Sequence, residues 1–278
     1  MTQEDLLSVA SALRAVLDRL SDHPEELAGS RGRKAREELE GLAADLRSRL
    51  ARLDPTRHPK SFFDPADPRL FGIFAAIALV GVERLPLSCV EADRFYGSGV
   101  YALYYQGGFP LYRPIARTEH PLYVGKADPE SAGARTPREQ GERLCTRLNE
   151  HRKNIESAGN LELADFACRY LVVATGWQTA AESSLIGLFR PIWNKETGIL
   201  LGFGKHGDSA ETRRNRRSPW DVLHAGRKWA ADGALEDAKS ADAITRELGE
   251  HFRKHAPVPD MPHIVRELTA QVRAVRAL

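Results

Sequence analysis

The stretch "GVYALYYQGGFPLYRPIARTEHPLYVGKA", residues 99–127, holds the pattern on which the fold turns. Its opening, "GVYALYY", is rich in valine, tyrosine and leucine and reads as a strand. Its end, residues 122–126, reads as a second short strand. Between them lies a loop of glycine and proline that carries Arg113 and Arg117. Each strand sets a tyrosine two residues from a glycine: Tyr101 after Gly99, and Tyr123 before Gly125. Such tyrosines are most simply packing residues. The chain downstream decides whether they are more.

Residues 138–157, "REQGERLCTRLNEHRKNIES", read as a helix with Leu144, Leu148 and Ile155 on its apolar side. "FACRYLVVA", residues 166–174, reads as a third strand with the weakened alternation of a buried one. A helix over residues 179–189 follows, with Thr179 as its N-cap and Glu182 three residues on, and Pro191 ends it. The order strand, strand, helix, strand, helix predicts a small α/β layer opened by a hairpin.

Four segments are expected. Residues 1–54 form a helical hairpin: one stripe runs through Leu6, Val9, Leu13, Val16 and Leu20, with Thr2 and Asp5 resembling a capping box. "HPEELAGSRG" breaks the pattern at Pro24, Gly29 and Gly32. A second stripe then runs through Leu39, Leu42, Leu46, Leu50 and Leu53. These stripes could pack on each other, on the rest of the chain or on a second subunit. Residues 55–95 are a lead-in packed on the core. Their apolar run at 70–82 is shorter than the roughly 20 residues of a bilayer span and reads as a buried helix. Residues 96–232 are the core together with a basic segment. There "SPWDVLHAGRKWA" starts a helix at Ser218 and Pro219, and "ADGALEDAK" is a hinge. Residues 233–278 are a helical extension, with Ile244, Leu248 and Phe252 on one face and a last amphipathic helix running to Leu278.

Composition narrows the function classes. The net charge of +2 gives no overall argument for nucleic acid, although charge is uneven along the chain. Three cysteines, Cys89, Cys145 and Cys168, with no C-x-x-C spacing disfavour a disulfide framework or a zinc knuckle and suit a reducing cytoplasm. The acidic start "MTQEDLL" lacks the pattern of a signal peptide. A cytoplasmic protein without a membrane segment is expected.

The polar residues of the α/β layer are Tyr101, Tyr123, Lys126, Arg147, His151, Glu182 and Asn194. Arg147 and His151 stand four apart on the expected helix and so share a face. Together the set offers a carboxylate for a hard metal, a guanidinium for phosphate oxygens, an imidazole and two phenols. Phosphodiester hydrolysis needs these parts: polarisation of the phosphoryl oxygen, a cation for developing charge, and a group to take a water proton. Each also has a plainer account. The Arg–His pair could be a solvated helix face, Glu182 a capping residue and Asn194 a turn residue. Further on, Arg213, Arg214, Arg216 and Arg217, with Lys205 and His206 nearby, fit DNA contact or a salt-bridged surface run.

"GVY" at 99–101 and "YVG" at 123–125 resemble the paired signatures of the GIY-YIG nuclease superfamily, each with valine for isoleucine. Arg147, Glu182 and Asn194 follow in that superfamily's order. The Arg147-x-x-x-His151 pair and the stretches "FYGSGVYALYYQG", "ESSLIGLFRPIWN" and "RSPWDVLHAGRKWA" resemble its Type II restriction endonucleases that cut a GC-rich palindrome, CCGCGG. The resemblance spans residues 62–230 and leaves both ends of the chain uncovered. It implies an α+β fold with a central three-stranded antiparallel sheet flanked by helices. It also implies one divalent ion, Mg²⁺ or Mn²⁺, at Glu182. Tyr101 would accept the proton of the attacking water, with Lys126 or the metal favouring its phenolate. Tyr123 and His151 would orient water and phosphate, Arg147 would stabilise the transition state, and Asn194 would hold the pocket or the phosphate. The implied partners are double-stranded DNA, a second copy in a homodimer and a companion methyltransferase. Alternatives are a repair or recombination nuclease that recognises DNA structure, and a non-catalytic DNA-binding scaffold.

Overall fold

The computed structural model describes residues 3–21, 29–53, 56, 62–203, 216–231 and 235–275. The chain divides into two compact units, residues 1–60 and 61–278. The first holds α1 (Gln3–Ser21) and α2 (Gly29–Leu53). The expected capping residue Thr2 and the inter-helix residues 22–28 lie outside the described residues. Gly32, expected in the break, lies inside α2, which continues through it. Leucine and valine positions of both stripes are exposed, among them Leu6, Val9, Leu42 and Leu50.

The second unit is built on a sheet whose strand order is β1 (Leu85–Pro86), β4 (Phe166–Val172), β2 (Gly99–Tyr105), β3 (Tyr123–Ala127), all antiparallel. The sheet has four strands rather than the expected three. The two-residue β1 pairs Leu85 with Cys168, in a stretch that reads as turn because Pro86 removes a donor, which an edge strand tolerates. All seven residues of β2 are buried. Gly99 makes that central position possible: a Cβ there would stand 2.0 Å from the Leu171 carbonyl oxygen on β4.

Side-chain alternation along β2 and β3 divides the core into two layers. Tyr101, Leu103 and Tyr105 face one side with Leu144, Leu148 and Ile155 of α5 (Arg143–Glu156), Trp193, Phe203 and Trp220. Val100, Ala102, Tyr104 and Val124 face the other. Opposite them stand α3 (Pro68–Gly81), α6 (Gln178–Phe189) and α9 (Met261–Val275). The apolar run at 70–82 is therefore a helix buried along one side, through Leu70, Ile73, Ala76, Leu79 and Val80, while Phe74 and Ile77 are exposed. Asp67 caps it by accepting from the Arg69 N–H, and Pro68 sits in its first turn. Gly72 lets α3 come close to α6, since a Cβ there would meet the Ser184 hydroxyl at 1.8 Å. No helix among the described residues is long and apolar enough to cross a membrane.

Three helical expectations change. The helix over 138–157 is broken into α4 (Pro137–Gln140) and α5 by Gly141, whose φ of +77° suits glycine and where a Cβ would meet the Glu130 carboxylate at 2.3 Å. The helix after Ser218 is only the short α7 (Pro219–Leu223). The expected hinge contains β6 (Glu236–Asp237), which pairs in parallel with β5 (Arg216–Arg217). Helix α8 (Ala241–Lys254) buries Ile244 and Leu248 as its pattern predicts. Leu278, the expected end of the last helix, lies outside the described residues.

Candidate active site

The site forms where the two layers meet, at the free edge of β3. A cavity of about 620 Å³ there is lined by Tyr123, Arg147, Glu182, Trp193, Asn194 and Arg216, among others. Tyr123 and Arg147 belong to the layer that holds α5. Glu182 comes from α6 on the other side, so the cleft draws on both faces of one edge strand.

Tyr101 lies behind this wall. It is fully buried, and its hydroxyl is 2.6 Å from Nε2 of His151, itself fully buried. Phe203 stacks on the His151 ring at 4.6 Å and 15°. Gly125 faces Tyr101 across the ladder, and a Cβ on it would lie 2.5 Å from the Tyr101 hydroxyl and 2.9 Å from the Tyr123 ring. The glycine is the floor on which both tyrosines lie, so a signature of tyrosine and glycine has a packing reason. The two hydroxyls act on one another and on Arg147. Burial pushes Tyr101 well above the ordinary phenol value, with Tyr123 adding and Arg147 opposing. Burial also raises Tyr123, against Arg147 and with Glu182. Both phenols are therefore neutral at neutral pH.

Arg147 is half-buried and bonds Glu150 at 2.6 Å. Against its own burial, Tyr101, Glu150 and Tyr123 hold its charge more firmly than in water. Glu150 escaped the sequence analysis, although its place three residues on along a helix is a readable signal.

Glu182 lies within α6 and is no capping residue. The helix starts at Gln178 after Trp177, with no side-chain cap, so Thr179 is not the N-cap either. The Glu182 carboxylate has no hydrogen-bond or ion-pair partner among the described residues. Burial raises its pKa, with Glu196 and Asp128 adding and Lys126 opposing. A cleft carboxylate held against its preference fits a hard cation that would supply the missing charge and take its remaining ligands from water and phosphate. Among the described residues no group of three His, Cys, Asp or Glu is placed to hold a metal, so water and phosphate would supply most of the ligands beside Glu182.

Lys126 does not sit beside Tyr101. It alternates to the other face of β3, pairs with Asp128 at 2.7 Å and acts on Glu182. Its expected role as helper to a Tyr101 phenolate finds no support in this placement. Asn194 is buried, and its side chain is fully engaged: Oδ1 accepts from the Val124 N–H at 2.9 Å and Nδ2 donates to the Val124 carbonyl at 2.7 Å. These two bonds cover the free edge of β3 at Val124. Asn194→Ala is expected to lower stability by about 2 kcal/mol, from two lost bonds to buried backbone. Urea denaturation would show this, and an unchanged midpoint would contradict it.

Of the basic run, Arg216 lines the cleft and pairs with Glu236 at 3.3 Å, and Arg217 pairs with Asp237 at 2.7 Å. Lys205, His206, Arg213 and Arg214 lie outside the described residues. Gln140 was also missed. Its amide ties the entry of β2 to the end of β4, accepting from Ser98 N–H and donating to the Val173 carbonyl, each at 2.9 Å. Nothing in its sequence neighbourhood signals a long-range staple.

A family model described as the Eco29kI GIY-YIG domain matches residues 93–252, more than half of the chain. The chain belongs to the Eco29kI GIY-YIG family. No curated protein matches it closely enough to count as a relative. Membership makes this a restriction-type nuclease domain whose substrate is DNA. The family segment begins just before β2 and ends within α8, so it takes in every residue of the cleft described above.

Proposed function

We propose that this protein is a Type II restriction endonuclease that hydrolyses both strands of a short GC-rich palindrome, CCGCGG, as a homodimer, with one Mg²⁺ or Mn²⁺ held by Glu182. One observation carries the reading: Tyr123, Arg147 and Glu182 converge on one cleft, with the Tyr101–His151 pair bonded directly behind it. Glu182 would hold the metal, which would supply Lewis acidity toward the phosphate. Arg147, fixed by Glu150, meets the charge that grows on the phosphate. The Tyr123 hydroxyl stands on the cleft wall and takes the proton of the attacking water as its own passes inward to Tyr101. Tyr101 in turn releases its proton to His151 Nε2. No phenolate has to form first, in keeping with two phenols whose pKa values are raised. A two-fold palindrome supports two copies, each cutting one strand. Arg216 at the cleft mouth suits a DNA phosphate or a guanine edge. The protein would act in the cytoplasm beside a methyltransferase that protects the same site.

Incubating plasmid DNA with purified protein and Mg²⁺, then sequencing the ends by run-off, tests this. Discrete fragments ending at one palindrome are expected. Tyr101→Phe should cut at least ~100-fold more slowly, the low end of general acid–base contributions, while binding the same duplex. Cleavage confined to branched or flapped DNA would instead favour a repair or recombination nuclease. Sequence-tight binding with no cleavage at all would favour a scaffold.

A further inference from the structure

A second cavity, of about 490 Å³, abuts the cleft on the far side of α6 and shares Ile186 and Glu196 with it. It is lined also by Ser183, Arg190, Thr197, His251 and His255. His251 lies in the last turn of α8 and His255 caps that helix, with its N–H donating to the His251 carbonyl at 2.8 Å. The four-residue spacing stacks the imidazoles on one side of the helix end, with ring centres 5.1 Å apart.

The two rings are bonded unequally. His251 is 9 % exposed, and its Nε2 is buried with no hydrogen-bond partner. The Arg190 backbone acts on the ring and opposes the fall in its pKa. A neutral imidazole carries a lone pair on one ring nitrogen, the form in which histidine binds metals. An unpaired buried polar atom costs stability unless a ligand completes it. His255 Nε2 stands 3.1 Å from Arg190 Nη1 and so accepts from the guanidinium. It too presents a lone pair, and Arg190 is an exposed side chain able to swing aside.

The surroundings favour a cation over an anion. The cavity lies at the carbonyl end of α8, where the helix dipole is negative, and Glu196 lines it. Burial, with His255, holds His251 below the ordinary imidazole value, so the ring stays neutral. The Arg190 guanidinium also lines the cavity and opposes a cation until it swings aside from His255.

We propose that His251 and His255 form a chelating pair for a divalent transition metal of the imidazole-preferring class, such as Zn²⁺, Ni²⁺ or Cu²⁺. The site is separate from the Glu182 site and does not depend on the nuclease reading. Among the described residues no set of three His, Cys, Asp or Glu is in place, so water or an outside ligand completes the coordination. The ion would staple the last turn of α8 to its C-cap, beside the end of α6.

The test uses the full-length protein after chelator treatment, with ZnCl₂ or NiCl₂ as the probe in calorimetry and thermal melting. In millimolar MgCl₂, which fills the Glu182 site, one Zn²⁺ or Ni²⁺ per chain with micromolar affinity is expected, with a further rise in melting temperature. His255→Ala, at the half-buried position, should weaken binding at least tenfold with an unchanged circular dichroism spectrum, and His251→Gln should do the same. Cys89→Ser should bind as the parent does. Binding within threefold of the parent in both histidine variants would overturn the proposal, as would no binding at all. Stabilisation by sulfate but not by Zn²⁺, abolished by His255→Ala, would make this an anion cavity and equally sink it.

Discussion

Glu182→Ala is expected to lower DNA cleavage by at least about 1,000-fold, a loss of roughly 4 kcal/mol of transition-state stabilisation, and to leave folding intact. The reasoning joins two observations. The carboxylate is without a partner in the cleft, so no internal bond is lost on its removal. Its pKa is also raised by burial, with Glu196 and Asp128 adding to the effect. A carboxyl whose folded-state pKa lies above its unfolded value stabilises the fold only when protonated. That contribution is present at acid pH and lost as pH rises through the folded value. At neutral pH the charged group works against the fold, so the variant should melt no lower than the parent. The same shift predicts that metal binding and cleavage fade as pH falls through a value above the ordinary 4.5 of a glutamate. Initial rates on a plasmid, with melting curves alongside, check both halves. Cleavage within tenfold of the parent would remove Glu182 from the mechanism, and a sharply lower melting temperature would make it a structural residue.

Gly125→Ala is expected to cost about 100-fold in cleavage rate without abolishing DNA binding, because displacement of a reacting group by about 1 Å is enough for such a loss. The added Cβ would lie 2.5 Å from the Tyr101 hydroxyl and 2.7 Å from its Cζ. Tyr101 cannot retreat easily, since it is fully buried and its hydroxyl is held by His151 at 2.6 Å. The ring or strand β3 must shift, which breaks the line from Tyr123 to His151. Overpacking of this kind also lowers stability by about 1–3 kcal/mol. Single-turnover rates compared with duplex affinity by gel shift separate the two effects. A variant that cuts within threefold of the parent would show that the Tyr101 position is not critical.

Much of the site was legible in order along the chain. Tyr101, Tyr123, Arg147 and Glu182 do come together, and the spacing of Arg147 and His151 does place them on one helix. Their individual roles were less legible. Lys126 is one residue from Gly125, yet the alternation of β3 turns it to the opposite layer, toward Glu182. The N-cap reading of Thr179 and Glu182 failed because Gln178 begins α6 one residue earlier and bonds elsewhere, its Nε2 to the Ser98 hydroxyl at 2.9 Å. Glu196 and Trp193 line the cleft although neither stands out in sequence, because the turn after α6 folds back over β3.

The sequence by itself determined the three long strands of the sheet, the main helices and the signatures, because periodicity, glycine placement and residue chemistry are local properties. It also carried the family, whose segment takes in the paired tyrosine–glycine signatures. The tertiary structure alone decided which tyrosine meets the cleft, which backbone Asn194 bonds, and that His251 and His255 share a cavity with the end of α6. Each of these depends on which atoms approach across long sequence separations: Tyr101 and His151 are 50 residues apart, and Asn194 and Val124 are 70 apart. Such approaches follow from the packing of two layers on one sheet, and no short-range pattern encodes them.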